Sequence, residues 1–249
     1  MTDLIYCPSG KAAEYSPALA CNPFRGCQHG CKYCYVPNVL HTDRDGFHAE
    51  SCLRSPDFLE RLEREAERKS RLFTGRVFLA FTTDAYQEWD RESAYTRQII
   101  QILHRHGFCV NVLTKGGELA LRDLDLFTPQ DCFGITLTGA SRDWEPGAAP
   151  EAERIATLHY FQRMQVPTWV SCEPVIDPDT VLSYIHSLRC VDVWKVGRLN
   201  YHPHAATIIW GAFAHQAVSA LQSVGARYRL KDDLACYVAP ENREYRPEI

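Results

Sequence analysis

Asn22-Pro-Phe-Arg-Gly-Cys27-Gln-His29-Gly-Cys31-Lys-Tyr33-Cys34-Tyr-Val-Pro37 sets three cysteines at C-x3-C-x2-C spacing, with no fourth beside them. Thiolates are soft ligands that select iron–sulfur clusters, zinc or copper(I), and a closed structural site takes four ligands. Three ligands leave one metal position open for chemistry. A zinc knuckle would need His29 as fourth ligand, folded back within a tight loop to share the metal of the cysteines that flank it. A disulfide reading needs an oxidising compartment. Eleven cysteines, an odd number, and no apolar leader in Met1-Thr-Asp-Leu-Ile-Tyr-Cys7 point instead to a reducing cytoplasm where thiols stay free or bind metal.

Outward from this run, β-rich stretches alternate with helical patterns. Strands are read at 18–22, 77–82, 108–114, 132–138, 166–172 and 191–196. That alternation is the pattern of βα units around a parallel sheet, and six units make a partial α/β barrel. Ser55-Pro56 opens a helix carrying Phe58, Leu62, Ala66 and Leu72, and 93–106 forms another, ended by Gly107. Pro150 and Pro178 are read at N1 of the next two helices. An apolar helix over 205–224 closes at Gly225, and 228–238 reads as an edge strand or a cap. A chain of 249 residues, 45% hydrophobic, suits one domain over 1–249, with a core at about 18–200 and a C-terminal helix and cap at 201–249. Ligands of such folds gather at the C-terminal ends of the strands, where the cysteine run follows strand one. The loosest stretch, 139–150, reads as a loop between a strand and a helix.

The net charge of −4 argues against an extended nucleic-acid footprint, which needs an excess of Lys and Arg. The Arg-rich segment 61–76 is interleaved with Glu and reads as a solvated helix face. No segment reaches the ~18 apolar residues of a membrane span.

The cysteine run, with Tyr33 just before its last Cys, resembles the cluster loop of the radical S-adenosylmethionine (SAM) superfamily. Together with Phe81-Thr-Thr-Asp84-Ala-Tyr-Gln87 and Leu113-Thr-Lys115, it is similar to the spore photoproduct lyase-like branch over about residues 21–200. The resemblance implies an α/β fold, a partial (β/α)6 TIM-type barrel. It implies a [4Fe-4S] cluster on Cys27, Cys31 and Cys34, with SAM at the free iron. It further implies reductive cleavage of SAM to methionine and a 5′-deoxyadenosyl radical, fed by an electron donor such as flavodoxin or ferredoxin. The radical would take hydrogen from a nucleoside, nucleotide or single exposed base. The alternatives are a peptide or small-metabolite substrate and, outside enzymes, a zinc-binding interaction module.

By the same resemblance Thr83 and Asp84 would accept from the methionine ammonium, Lys115 would meet the SAM carboxylate, and Thr136 would contact the cofactor. Glu173 would face ribose or substrate, while Val196 to Leu199 would give backbone groups and an apolar wall to adenine, with Tyr33 against the same base. Arg154 either reaches a carboxylate or phosphate bidentately or pairs with Glu151 or Glu153 on a wet face. The family's hydrogen-donating cysteine falls at Phe81 here, so Cys172, at the end of strand five, is the candidate donor. That departure, and a chain short of the family's extra terminal regions, argue against thymine-dimer repair as the activity. Cys7, Cys21, Cys52, Cys109, Cys132, Cys190 and Cys236 form no second ligand set.

Changing Cys27, Cys31 or Cys34 to Ala is expected to abolish iron and sulfide uptake in anaerobic reconstitution while the melting curve stays unchanged. A full iron complement in any of the three variants, or zinc in place of iron in the wild type, contradicts the cluster assignment.

Overall fold

The computed structural model describes residues 3–9, 13, 19–189 and 191–245; Ala18 and Cys190 lie outside them. The strands β1 (Leu19–Cys21), β2 (Arg76–Leu79), β3 (Cys109–Thr114), β4 (Cys132–Thr136), β5 (Thr168–Cys172), β6 (Val193–Val196), β7 (Tyr228–Leu230) and β8 (Glu244–Tyr245) lie side by side in chain order. β1 to β7 run parallel, and β8 returns antiparallel along β7. The expected six strands thus become seven. Tyr228-Arg-Leu230, left open as edge or cap, alternates at period two and pairs with β6 through Trp194↔Tyr228 and Val196↔Leu230.

The helices α1 (Phe58–Ser70), α2 (Tyr95–Arg105), α3 (Glu151–Arg163), α4 (Pro178–Ser187) and α5 (Trp210–Ser223) fill the crossovers, and a 3-10 stretch, Gly117–Leu126, connects β3 to β4. Several boundaries move for local reasons. Ala94, left-handed at φ 50°, separates a short turn from α2. A 3-10 turn over Pro203–Thr207 delays α5 to Trp210, and Pro150 is the N-cap of α3 where N1 was expected. Leu72 falls beyond α1 and is exposed, so it takes no part in that helix's apolar face.

Strand alternation divides the sheet into two faces. Val77, Val110, Phe133, Val170, Trp194 and Tyr228 belong to the main core, while Ala20, Phe78 and Trp169 form a second cluster on the opposite, concave side. Phe78 on β2 and Trp169 on β5 have two strands between them, about 14 Å across a flat sheet at ~4.8 Å per strand. Their ring centroids are 6.2 Å apart, which requires the sheet to curl around them into a partial barrel. Gly134 on β4 makes the space: a Cβ there would stand 2.4 Å from the Trp169 ring. Trp169 Nε1 donates to Asn111 Oδ1 at 2.9 Å, so the buried indole keeps its hydrogen bond.

The outer edge of β1 is covered by Tyr6, whose N–H donates to Ala20 O at 3.0 Å and whose carbonyl accepts from Ala20 N at 2.8 Å. A separate two-stranded ribbon, Phe24–Arg25 against Cys52–Leu53, brackets the segment that holds the three cysteines. Among the described residues, no helix is long and apolar enough to cross a membrane.

Gly134→Ala is expected to lower stability by about 1–3 kcal/mol through overpacking against Trp169, read as a fall in Tm. An unchanged Tm would mean that the indole is not fixed on the floor of the barrel.

Candidate functional site

The cysteine loop is held from all sides. Gly26 turns it at φ 74°, with Glu50 O 1.7 Å from where a Cβ would stand, so no other residue fits. Cys27 N donates to Phe47 O at 2.9 Å, His48 Nδ1 lies 2.8 Å from Cys27 O, and Arg44 Nη2 donates to Cys34 O at 2.6 Å. From the strand-end loops, Gly147 N donates to His29 O and Lys32 N to Trp144 O, each at 2.9 Å. Gln28 N donates to Gln87 Oε1 at 2.8 Å. Burial pushes the Cys31 thiol up to about 11 and holds Cys27 and Cys34 above the ordinary thiol range. A metal that binds here must therefore displace their protons.

Asp84 is the hub beneath this loop. Its Oδ1 accepts from Tyr86 N at 2.8 Å and from Thr114 Oγ1 at 2.5 Å. Oδ2 accepts from Lys115 N at 2.8 Å and faces His29 Nε2 at 3.1 Å. Three hydrogen bonds and the facing His29 ring surround the carboxylate. Asp84 thus joins the ends of β2 and β3 to the cysteine loop. Burial works to raise its pKa, but His29, Thr114 and Tyr86 N–H outweigh it and bring the group down to about 2. Neighbouring Thr83 differs: its Oγ1 is buried with no hydrogen-bond partner among the described residues.

A second clamp is built on Glu145, from the loop that looked loosest in the sequence. Its Oε2 pairs with Arg154 Nη2, and its Oε1 accepts from the Tyr33 hydroxyl. Arg154 is 2% exposed and also donates from Nη1 to Thr136 O at 2.9 Å and from Nε to Ala149 O at 2.7 Å. Arg154 thus pairs with Glu145 in a buried place, and not with Glu151 or Glu153 on a wet face. Burial opposes the charge on Glu145, yet Lys115 and Arg154 hold its pKa below the ordinary carboxylate value. The Lys115 ammonium stands 5.7 Å from the Tyr33 ring centroid and has no hydrogen-bond acceptor among the described residues. Burial opposes its charge too, but Cys31 and Glu145 keep its pKa up.

Farther along the sheet, Thr136 lies buried at the end of β4, in register with Ser171 on the concave face. Glu173 follows β5, with Oε2 3.6 Å from Lys231 Nζ. Cys172, Val196 and Leu199 are corrected. Cys172 and Val196 lie in the main core at 0% exposure and Leu199 at 1%, because strand alternation turns Cys172 and Val196 away from the concave face. Burial drives the Cys172 thiol far up. The backbone groups near Val196 are used as well: Lys231 N donates to Val196 O at 2.8 Å, and Gly197 N to Cys172 O at 3.0 Å.

These residues fit a cluster with a bound amino acid end better than a zinc knuckle. The His29 ring is turned toward the protein, with Nδ1 3.1 Å from Gly147 O and Nε2 3.1 Å from Asp84 Oδ2. No three Cys, His, Asp or Glu among the described residues surround a single-ion position. The orphaned Thr83 hydroxyl and the Lys115 ammonium are the polar atoms left over for a ligand beside a cluster.

No family model matches the chain. It is 25% identical over 169 residues to an uncharacterized protein of Methanocaldococcus jannaschii, covering 64% of this chain and 61% of that one. Among solved structures, a spore photoproduct lyase mutant with bound AdoMet and dinucleoside spore photoproduct superposes with a TM-score of 0.59 at 15% identity. The match covers 80% of this chain and 60% of that one. The chain shares the spore photoproduct lyase fold. SuiB of Streptococcus suis bound to S-adenosylmethionine has the same fold at TM-score 0.60 and 8% identity, over 92% of this chain and 55% of that one. The chain thus spans about three fifths of the length of these relatives. Within the lyase fold the cysteine loop sits at the C-terminal end of β1, beside the ends of β2 and β3.

Sequence reasoning missed Glu145 and took His29 only as a candidate zinc ligand. Glu145 has no short-range signal, since it acts across 112 residues on Tyr33. The folded pKa of Asp84 lies below its unfolded value of 3.8, so the stabilisation is complete above about pH 4 and disappears as pH falls through about 2. Asp84→Asn is expected to lose about 2 kcal/mol of unfolding free energy at neutral pH, with the deficit closing between about pH 4 and 2 in denaturant titrations. A pH-independent deficit would place the loss in packing.

Proposed function

We propose that this chain is a radical SAM enzyme that holds a [4Fe-4S] cluster through Cys27, Cys31 and Cys34. The observation that carries this reading is the three-thiol loop at the C-terminal end of a curled parallel sheet, clamped by Asp84 and Glu145, with the Lys115 ammonium and the Thr83 hydroxyl left over beside it. The shared fold with AdoMet-bound structures supports it. Held by Cys27, Cys31 and Cys34, the cluster would supply the electron for reductive cleavage of SAM.

The chain's own residues supply binding and exclusion of water. Lys115 offers its ammonium to the carboxylate of SAM and Thr83 its oxygen to the ammonium. Tyr33, fixed by Glu145, lies beside the adenine, and Thr136 and Glu173 border the ribose and substrate. Phe81, stacked on Phe78 at 4.1 Å between centroids, and Trp169 give the chamber an aromatic floor suited to a planar ring. That floor favours a nucleoside, nucleotide or single exposed base over a peptide. The acidic net charge disfavours an extended duplex footprint. We infer a cytoplasmic enzyme reduced by a flavodoxin- or ferredoxin-type donor.

Reconstituted protein reduced with dithionite is expected to release 5′-deoxyadenosine and methionine from SAM in equal amounts. Lys115→Met is expected to weaken SAM binding by about ten- to hundredfold, the loss of one charge-assisted contact, with the iron content unchanged. Intact SAM after prolonged reduction, with the cluster present, would contradict the proposal.

A further inference from the structure

The short helix Arg44–Ala49 grips both ends of the cysteine run. Asp43 caps it, with Oδ2 accepting from Gly46 N at 2.6 Å. Phe47 O accepts from Cys27 N at 2.9 Å and His48 Nδ1 lies 2.8 Å from Cys27 O, while Arg44 Nη2 donates to Cys34 O at 2.6 Å. Arg44 as a whole is half-buried, yet its other terminal nitrogen, Nη1, is shielded from water and has no hydrogen-bond partner among the described residues. The acids beside it in sequence, Asp43 and Asp45, are exposed, and among the described residues none forms an ion pair with the guanidinium. A guanidinium stays charged throughout the working pH range, and a buried N–H left without an acceptor costs free energy unless a ligand completes it. The charge is felt at the thiols: burial raises the pKa of Cys34, while Val36 N–H, Lys115 and Arg44 pull it the other way.

We propose that Arg44 is a positioning residue that raises the reduction potential of the cluster, its Nη1 donating to a cluster sulfur while Nη2 fixes Cys34. The inference deepens the proposed function and rests on it for the presence of the cluster. Uptake of one electron makes the cluster and its three thiolates more negative by one charge. A fixed cation and a hydrogen bond to sulfur therefore favour the reduced form over the oxidised one. Groups that touch the ligands without binding the metal tune such sites in this way. The rigid fork of the guanidinium is what allows one side chain to serve a carbonyl and a sulfur together, which a lysine ammonium does less well. Lys32, a cation in the same run, is exposed and so exerts its charge through water.

The test is a potentiometric titration of the reconstituted protein with dithionite, followed by the electron paramagnetic resonance signal of the reduced cluster. Arg44→Gln keeps a donor for Cys34 O and loses the charge. It is expected to disfavour the reduced form about tenfold, a shift of ~59 mV to more negative potential for a one-electron couple. Arg44→Lys, with the charge but without the fork, is expected to move part of that way, and Lys32→Met far less. A wild-type potential in Arg44→Gln, or a shift in Lys32→Met as large as in Arg44→Gln, overturns the proposal. Iron and sulfide content measured on the same preparations shows which variants are loaded. Should Arg44→Gln take up no iron, Arg44→Lys decides: a potential below that of the wild type supports the proposal and an equal one overturns it. Wild-type protein that takes up no iron removes the proposed function and this inference with it, whereas a loaded wild type with unshifted Arg44 variants removes this inference alone.

Discussion

One buried carboxylate holds the site together. Asp84 receives donors from the turn after β2, from the end of β3 and from the cysteine loop, so three segments distant in sequence share one anion. Burying a charge is costly unless paired and hydrogen-bonded, and this one is both. Its four partners make the arrangement cooperative, since removing any of them leaves the others facing an under-satisfied charge. The open metal position of a three-cysteine loop has meaning only if the loop is held still. Asp84 does that from below.

The Glu145–Arg154 pair plays the matching part from above, and the two clamps divide the polar groups of the site into two kinds. Asp84, Glu145 and Arg154 are spent on the protein. Thr83, Lys115 and Ser171 have polar atoms that no described residue completes. That division is a physical basis for assigning binding roles, because a saturated group has little left to offer a ligand. It also shows what residue type alone leaves open, since the partners of Asp84 and Arg154 come from other segments of the chain.

The cysteine run, the strand alternation and the parallel sheet were legible because each is a local pattern. β3 and β6 fall within two residues of their expected limits, and Asp177 caps α4 with Pro178 in its first turn as the Pro reading anticipates. What could not be read depends on contacts across the fold. The orientation of Cys172 rests on a one-residue phase of β5, and a strand shifted by one residue turns every side chain to the other face. The seventh parallel strand is three residues long, too short to carry a periodic signal against an open choice of edge or cap. The loop over 139–150 looked loose from its glycines and prolines, yet Gly147 is required where Gln28 O would stand 2.1 Å from a Cβ. Composition marks such a glycine as flexible, whereas close approach of two backbones makes it fixed.

The central question is whether Cys27, Cys31 and Cys34 hold a cluster that SAM can reach. Electron paramagnetic resonance of the reconstituted, dithionite-reduced protein, recorded with and without SAM, tests this directly. The account predicts a reduced [4Fe-4S] signal whose g values shift when SAM is added, as coordination at the free iron requires. A signal indifferent to SAM, or a colourless zinc protein with none, would contradict it.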